Sequence, residues 1–212
     1  MTVRGKYIVF EGLDGSGKTS QVALLEDWLK GLGGPVQLVS EPYTPESFPV
    51  NVRDLLAADC RLDRLSIEYL FQASRVEHLK NVEAALASGT HVVSDRSYIS
   101  GQVYAEAAGL NGTLLAELSR AVPLKPDFLI YLDITPEKAM DRILGRGENL
   151  TRDETLENLT RVRQIYTHVI SEETTANQMQ WARVDGGGNK LQVAFAVRAS
   201  VDAFLDYAED QE

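Results

Sequence analysis

Cysteine is almost missing from this chain: 212 residues include one, Cys60. A lone thiol makes no internal disulfide. With only three histidines, dispersed along the sequence, there is no Cys/His cluster of the kind that holds zinc. Long apolar runs are missing too; none approaches the ~18–20 residues that span a bilayer. Positive charge is scarce, with 21 Lys and Arg against 31 Asp and Glu, a net charge of −10. Phosphate backbones demand clustered cations, so an acidic chain is a poor broad nucleic-acid binder, although a few cations gathered in one cleft can still hold a small anion. Met1 to Lys6 carries no signal-peptide pattern and leads straight into an apolar run. These features predict a cytoplasmic enzyme with neither a membrane nor a nucleic-acid partner. With 44% hydrophobic residues and no repeat, low-complexity tract or linker, residues 1–212 read as one domain with one substantial core.

What is present alternates between two periods. Tyr7 to Phe10 is a short continuous apolar run, as expected of a strand buried on both faces. Further strands are expected at 36–39, 91–94, 128–132 and 179–184. Between them lie helical patterns: Val22 to Leu32, stopped by Gly33-Gly34-Pro35; Leu65 to Ala87; short helices within 100–122; Pro136 to Leu144; and a C-terminal helix. Pro49 is expected to open a further helix, and Thr151 with Glu154 has the spacing of a capping box that starts another. Alternating strands and helices predict an α/β fold in three layers, a five-stranded parallel sheet flanked by helices. In such sheets ligands bind beyond the carboxyl ends of the strands. Asp14 and Lys18, Glu41, Asp95 with Arg96, and Asp133 all follow strands in this way.

Gly12-Leu13-Asp14-Gly15-Ser16-Gly17-Lys18-Thr19 satisfies G-x-x-x-x-G-K-[ST] between a strand and an amphipathic helix. Its glycines let backbone N–H groups curl around phosphate oxygens at a helix N-terminus. Lys18 is expected to reach the terminal phosphates of ATP and Thr19 to ligate Mg²⁺. Asp95 suits the same Mg²⁺ through a coordinated water. The planar fork of Arg96 suits a place between donor and acceptor phosphates.

A P-loop also serves GTPases and motor ATPases. GTPases need an Asn-Lys-x-Asp segment; here Asn189-Lys190 continues as Leu191-Gln192. Motors are generally longer. Gly145-Arg146-Gly147-Glu148, flanked by Arg142 and Arg152, reads instead as a lid over about 142–153. Closing such a lid would exclude water and neutralise charge during phosphoryl transfer. Taken singly, each of these arginines has a solvated helix-end charge as its less favoured reading, and Arg146, between two glycines, is the strongest lid candidate.

Several linked motifs are similar to those of the thymidylate kinase family, and the resemblance covers nearly the whole chain. Glu11 to Thr19 matches E-G-x-[DE]-G-x-G-K-[ST]. Leu70-Phe71-Gln72-Ala73-Ser74-Arg75 matches the family's Phe and Arg four apart. Asp95 to Tyr104 matches the D-R segment, and Pro126-Asp127, Tyr131-Leu132-Asp133 and Arg146-Gly147 follow in order. The resemblance implies ATP as donor and dTMP as acceptor in a homodimeric enzyme. Phe71 would stack on the base and Arg75 donate to a base carbonyl. Ser100 would meet the pyrimidine edge and Tyr104 would crowd the sugar 2′ position. Asp14 would lie near the acceptor sugar and phosphate, with Arg53 and Arg96 holding that phosphate. Arg142 would belong to the ATP site.

Two departures stand out. Many bacterial members read R-E-P-G-G-T where this chain reads Ser40-Glu41-Pro42-Tyr43-Thr44-Pro45, and Arg53 lies about one residue later than expected. Gly15 stands where some relatives carry an arginine, which shifts the catalytic charge to Arg146 and Arg152. Three alternatives stay open, one of them a kinase for another pyrimidine deoxynucleotide. In a deoxyribonucleoside kinase, Glu41 would be the general base for a sugar hydroxyl, and Glu41-Pro42 with Asp95-Arg96-Ser97 fits that pattern. In a non-catalytic nucleotide-binding regulator, the intact Lys18, Thr19 and Asp95 would have no catalytic use.

Overall fold

The computed structural model describes residues 3–46, 48–56, 60–147, 150 and 154–209. Five parallel strands, β1 (Tyr7–Gly12), β2 (Val36–Ser40), β3 (His91–Asp95), β4 (Phe128–Asp133) and β5 (Gln180–Asp185), form one sheet in the order β2-β3-β1-β4-β5. The chain leaves β1 for β2 and β3 on one side, then crosses back to β4 and β5 on the other. The change of direction places a cleft at the carboxyl end of β1, where the Gly-rich loop lies.

Side chains alternate along each strand, so the sheet has two apolar faces. Tyr7, Val9, Val92, Leu129 and Tyr131 pack under α2 (Arg64–Ala87), α3 (Tyr98–Ala107) and α6 (Leu156–Ala176). Ile8, Phe10, Val93, Ile130 and Leu132 pack under α1 (Lys18–Gly31) and α7 (Lys190–Glu209). Two shorter helices, α4 (Gly112–Arg120) and α5 (Pro136–Leu144), complete the layers. The caps follow local chemistry: the Asp63 carboxylate accepts from the Leu65 N–H at 2.8 Å, and Pro136 opens α5 after the Thr135 cap.

Two local expectations need correction. Pro49 does not open a helix. Among the described residues the segment forms a short 3-10 turn, Val52–Leu56, that begins after Asn51, whose side chain accepts from the Arg53 N–H at 3.2 Å. The next helix, α6, begins at Leu156, later than the spacing of Thr151 and Glu154 implied, with Thr155 as its cap accepting from the Asn158 N–H at 3.2 Å. Glu154 lies 3.8 Å from Arg146. Thr151 lies outside the described residues.

Candidate active site

The loop between β1 and α1 is shaped by its glycines. At Gly12, φ is +146°, and a Cβ there would stand 2.6 Å from the Leu132 carbonyl oxygen. At Gly15, φ is +80°, and a Cβ would stand 2.4 Å from the carbonyl oxygen of Ala139 on α5. Any side chain at position 15 would collide with helix backbone, which explains in packing terms why no arginine stands there. Lys18 folds back over the loop, its Nζ donating to the carbonyls of Gly12 and Leu13 at 2.9 and 2.8 Å. Burial, with repulsion from Arg96, pulls the Lys18 ammonium down to about 8 against the attraction of Asp14, Asp95 and Glu11.

Thr19 Oγ1 donates to Asp95 Oδ2 at 2.7 Å, and Asp95 Oδ1 is buried with no hydrogen-bond partner among the described residues. An orphaned carboxylate oxygen beside a threonine hydroxyl fits a divalent cation. Among the described residues no cluster of three or more His, Cys, Asp or Glu side chains could enclose one. Such a cation would therefore take its remaining ligands from phosphate oxygens and water, as Mg²⁺ commonly does.

Two cavities meet here. One, of about 330 Å³, is lined by Asp14, Gly15, Gly17, Lys18, Thr19, Ser20, Arg96 and Arg146. Its neighbour, of about 320 Å³, has Phe71, Arg75, Ser100, Gly101, Tyr104 and Glu154 in its wall, together with Asp14 and Arg96. Arg96 adopts φ +75°, an uncommon conformation for a residue with a side chain. Its guanidinium reaches Asp14 Oδ1 at 2.5 Å, Ser100 Oγ at 3.0 Å and Tyr166 Oη at 3.3 Å. Tyr104 Oη donates to the other Asp14 oxygen at 2.9 Å. Burial alone would raise the Asp14 carboxyl, but the charges of Arg96 and Lys18, with hydrogen bonds from Tyr104 and Arg96, hold it below its ordinary value.

The residues expected for base recognition share the second cavity. Phe71 is half-buried in its wall. Arg75 is buried, and its Nε donates to Glu41 Oε2 at 2.5 Å. Ser100 is tied into a buried network, donating to Glu11 Oε2 at 2.5 Å and lying 2.8 Å from Tyr166 Oη. Arg53 is not part of this wall. It is exposed, and its guanidinium donates to the Pro42 carbonyl at 3.0 Å and Ser40 Oγ at 2.8 Å, bracing the loop that departs from the bacterial pattern. Arg142 braces the phosphate loop from below, with NH1 donating to Gly15 and Ser16 carbonyls at 3.4 and 3.3 Å and NH2 to Gly188 at 3.0 Å. Arg146 lines the phosphate cavity and lies 3.8 Å from Glu154. Arg152 lies outside the described residues.

Sequence reasoning gave no role to Glu11 or Tyr166. The Glu11 carboxylate, wholly buried, accepts from the Ser97 N–H and hydroxyl at 2.8 and 2.7 Å and from Tyr166 Oη at 2.9 Å. It anchors the start of α3, which presents Ser100 and Tyr104 to the cavity. A carboxylate ending an apolar strand was the available signal. Tyr166 gave none, because it continues the apolar stripe of Leu159 and Val162 on α6 and reads as core.

Comparison with known proteins agrees with this arrangement. A profile of the thymidylate kinase family matches residues 10–182. The probable thymidylate kinase of Pyrococcus abyssi is 36% identical over 170 residues, which is 77% of this chain and 82% of the relative. That of Archaeoglobus fulgidus is 31% identical over 200 residues, 94% of this chain and 96% of the relative. The thymidylate kinase of Arabidopsis thaliana is 39% identical over 142 residues, 66% of this chain and 52% of the relative. With the sheet order, the phosphate loop and the adjoining base-sized cavity in place, the chain belongs to the thymidylate kinase family.

Proposed function

We propose that this chain is a thymidylate kinase that moves the γ-phosphoryl group of ATP to dTMP, giving dTDP and ADP. The observation that carries the reading is that Arg96 and Asp14 line both cavities, so a phosphate cradle and a base-sized pocket open onto the same two side chains. An acceptor phosphate oxygen attacks the γ-phosphorus as the bond to the ADP oxygen breaks. A phosphate needs no strong base to become a nucleophile, so the work is positioning and charge neutralisation.

In this reading Gly12 to Thr19 cradle the ATP phosphates through backbone N–H groups, and Lys18 follows the charge onto the transferring group. Thr19 and Asp95 hold Mg²⁺, which supplies neutralisation of the donor phosphates. Arg96 aligns the acceptor phosphate, and Asp14 with Tyr104 faces the deoxyribose. Phe71 stacks on thymine, and Ser100 with Arg75 faces its edge. Arg146 covers the transferring group, and Arg142 supports the loop beside the adenine. Arg152 is proposed to join Arg146 within the 142–153 lid.

The buried Glu41–Arg75 pair speaks against a nucleoside kinase in which Glu41 is a free general base. We also propose one kinase domain, acting in the cytoplasm as a homodimer. On α2, Ile67, Leu79, Val82 and Leu86 belong to the core, while Tyr69 and Val76 remain exposed and suit an interface. No described helix is long and apolar enough to cross a membrane.

The test is ADP release from Mg·ATP with dTMP, dUMP, AMP, CMP and thymidine as acceptors. Turnover with dTMP is expected. Turnover with thymidine but not dTMP would replace this reading with the nucleoside kinase, and ATP binding without turnover on any acceptor would favour a regulator.

A further inference from the structure

Glu11 is wholly buried near the carboxyl end of β1, in the layer where Tyr7 and Val9 pack under helices. A carboxylate is costly there unless donors surround it. Its two oxygens have different partners. Oε1 accepts from the Ser97 N–H and hydroxyl at 2.8 and 2.7 Å and from the Ser100 N–H at 3.2 Å, so it holds the start of α3. Oε2 accepts from the Ser100 hydroxyl at 2.5 Å and the Tyr166 hydroxyl at 2.9 Å. Those same hydroxyls accept from Arg96 NH1, at 3.0 and 3.3 Å. A guanidinium can only donate, and each hydroxyl has one proton, which goes to Glu11. Were one hydroxyl to donate to the other, 2.8 Å away, Oε2 would lose a donor in a buried site. The direction of every bond is thus fixed from Arg96 through the hydroxyls to Glu11. Burial and the Glu11 charge raise the Tyr166 hydroxyl well above its ordinary value, so it keeps the proton it donates. The residue before Glu11 holds the main chain of Arg96 as well, its N–H donating to the Phe10 carbonyl at 2.9 Å.

We infer that Glu11 is a positioning residue for the acceptor phosphate: acting through the Ser100 and Tyr166 hydroxyls, it fixes the direction of the Arg96 fork. The inference rests on the kinase reading above, in which Arg96 meets that phosphate. Glu11 itself lines neither cavity and acts only through its neighbours. With NH2 held by Asp14 at 2.5 Å and NH1 by the two hydroxyls, the fork is set before a substrate arrives. Glutamine at position 11 separates this role from the support of α3. Its carbonyl oxygen can stand at Oε1 and keep the helix N–H groups, but its NH2 then stands at Oε2 and donates. A hydroxyl that accepts from that NH2 turns its own proton toward Arg96, where O–H opposes N–H.

The experiment measures the Kd of dTMP and of thymidine by calorimetry, with kcat and the KM for ATP, in the full chain and in Glu11→Gln and Tyr166→Phe. Thymidine has the same base and sugar but no phosphate for Arg96 to meet. Glu11→Gln is expected to weaken dTMP binding and to lower kcat, each about tenfold, while thymidine binding and the KM for ATP stay within about twofold. Tyr166→Phe keeps the ring and the carboxylate and removes one hydroxyl, so it decides the matter even where Glu11→Gln does not fold. It is expected to weaken dTMP at least about threefold with thymidine unchanged. In an Arg96→Ala background, Glu11→Gln is expected to change kcat/KM by less than about twofold, because its effect passes through the missing side chain. Equal losses for dTMP and thymidine in Glu11→Gln would reduce Glu11 to a support of α3, overturning the inference and leaving the kinase reading intact. An unchanged dTMP to thymidine ratio in Tyr166→Phe, or a further loss of about tenfold in the Arg96→Ala background, does the same. A wild-type chain that does not turn over dTMP overturns both.

Discussion

Asp14 and Arg96 meet at 2.5 Å on the boundary between the phosphate cradle and the base-sized cavity. One comes from the loop after β1 and the other from the turn after β3, neighbouring strands whose carboxyl ends lie side by side. The pair keeps a positive fork aimed at the place where donor and acceptor phosphates would meet, and it keeps Asp14 ionised beside it. Replacing Arg96 with Ala is expected to lower kcat/KM for dTMP by about 10²–10³-fold, with both constants affected. Ordinary steady-state kinetics in purified, folded Arg96→Ala would remove Arg96 from the site.

Lys18 supplies a pH signature. Its pKa in the ligand-free chain is depressed to about 8, so the free protein loses this charge as the pH rises through that value. Bound phosphates favour the charged form and shift it upward. The expected outcome is that kcat/KM for ATP declines above about pH 8 while kcat holds to higher pH, because the first reports the free enzyme and the second the complex. Lys18→Ala is expected to lose most turnover, and Lys18→Arg to lose the alkaline limb in kcat/KM. An unaltered limb in Lys18→Arg would assign it to another group.

Thr19 and Asp95 give a metal prediction. Chelation of divalent cations is expected to abolish transfer. Asp95→Asn is expected to raise the Mg²⁺ concentration for half-maximal rate by at least about tenfold, read from activity against free Mg²⁺. An Asp95→Asn curve that overlies the wild type would detach Asp95 from the cation.

His78 governs acid stability. It is buried against Tyr43, with ring centroids 4.4 Å apart, and neither ring nitrogen has a hydrogen-bond partner among the described residues. Burial, with the Arg75 charge nearby, lowers its pKa from 6.5 to about 4. Between these values the unfolded chain binds the proton and the folded chain does not. Stability is therefore lost as the pH falls through that window, by an amount on the order of 3 kcal/mol. His78→Phe keeps the ring stack, and its melting temperature is expected to fall less steeply from pH 6.5 to 4 than that of the wild type. Parallel melting curves would place the acid sensitivity elsewhere.

Gly15 tests the packing explanation for the absent loop arginine. Gly15→Arg restores the residue that some relatives carry, yet it must displace Ala139 backbone from a left-handed position. A loss of roughly 2 kcal/mol or more is expected, or about 5 °C in Tm, without a gain in kcat. A stable and faster Gly15→Arg would show that α5 yields easily.

Much of this was legible in the chain alone. Continuous apolar runs placed β1, β3 and β4, which are buried on both faces, while the edge strands β2 and β5 are interrupted by polar residues such as Gln37 and Arg183 and are partly exposed. The phosphate loop was legible because its glycines and Lys18 are adjacent in sequence. Helix starts around 49 and 151–154 were misread because a proline or a capping-box spacing is a local signal, and the starts that form are set by the side chains of Asn51 and Thr155. Arg53 was expected at the acceptor phosphate from its place in the motif. Its reach is set by the loop at 40–42, which its own guanidinium braces.

The sequence by itself determined the sheet, the phosphate loop and the kinship of its motifs, all of which depend on residues within a few positions of one another. Only the tertiary structure decided that Glu41 clasps Arg75 rather than standing free as a base, that Glu11 and Tyr166 support Ser100 from beneath, and that Gly15 is bare because a helix carbonyl already occupies its space. Those relationships join residues from 34 to 155 positions apart. Their partners are chosen by the packing of helices on the sheet, which no local pattern records.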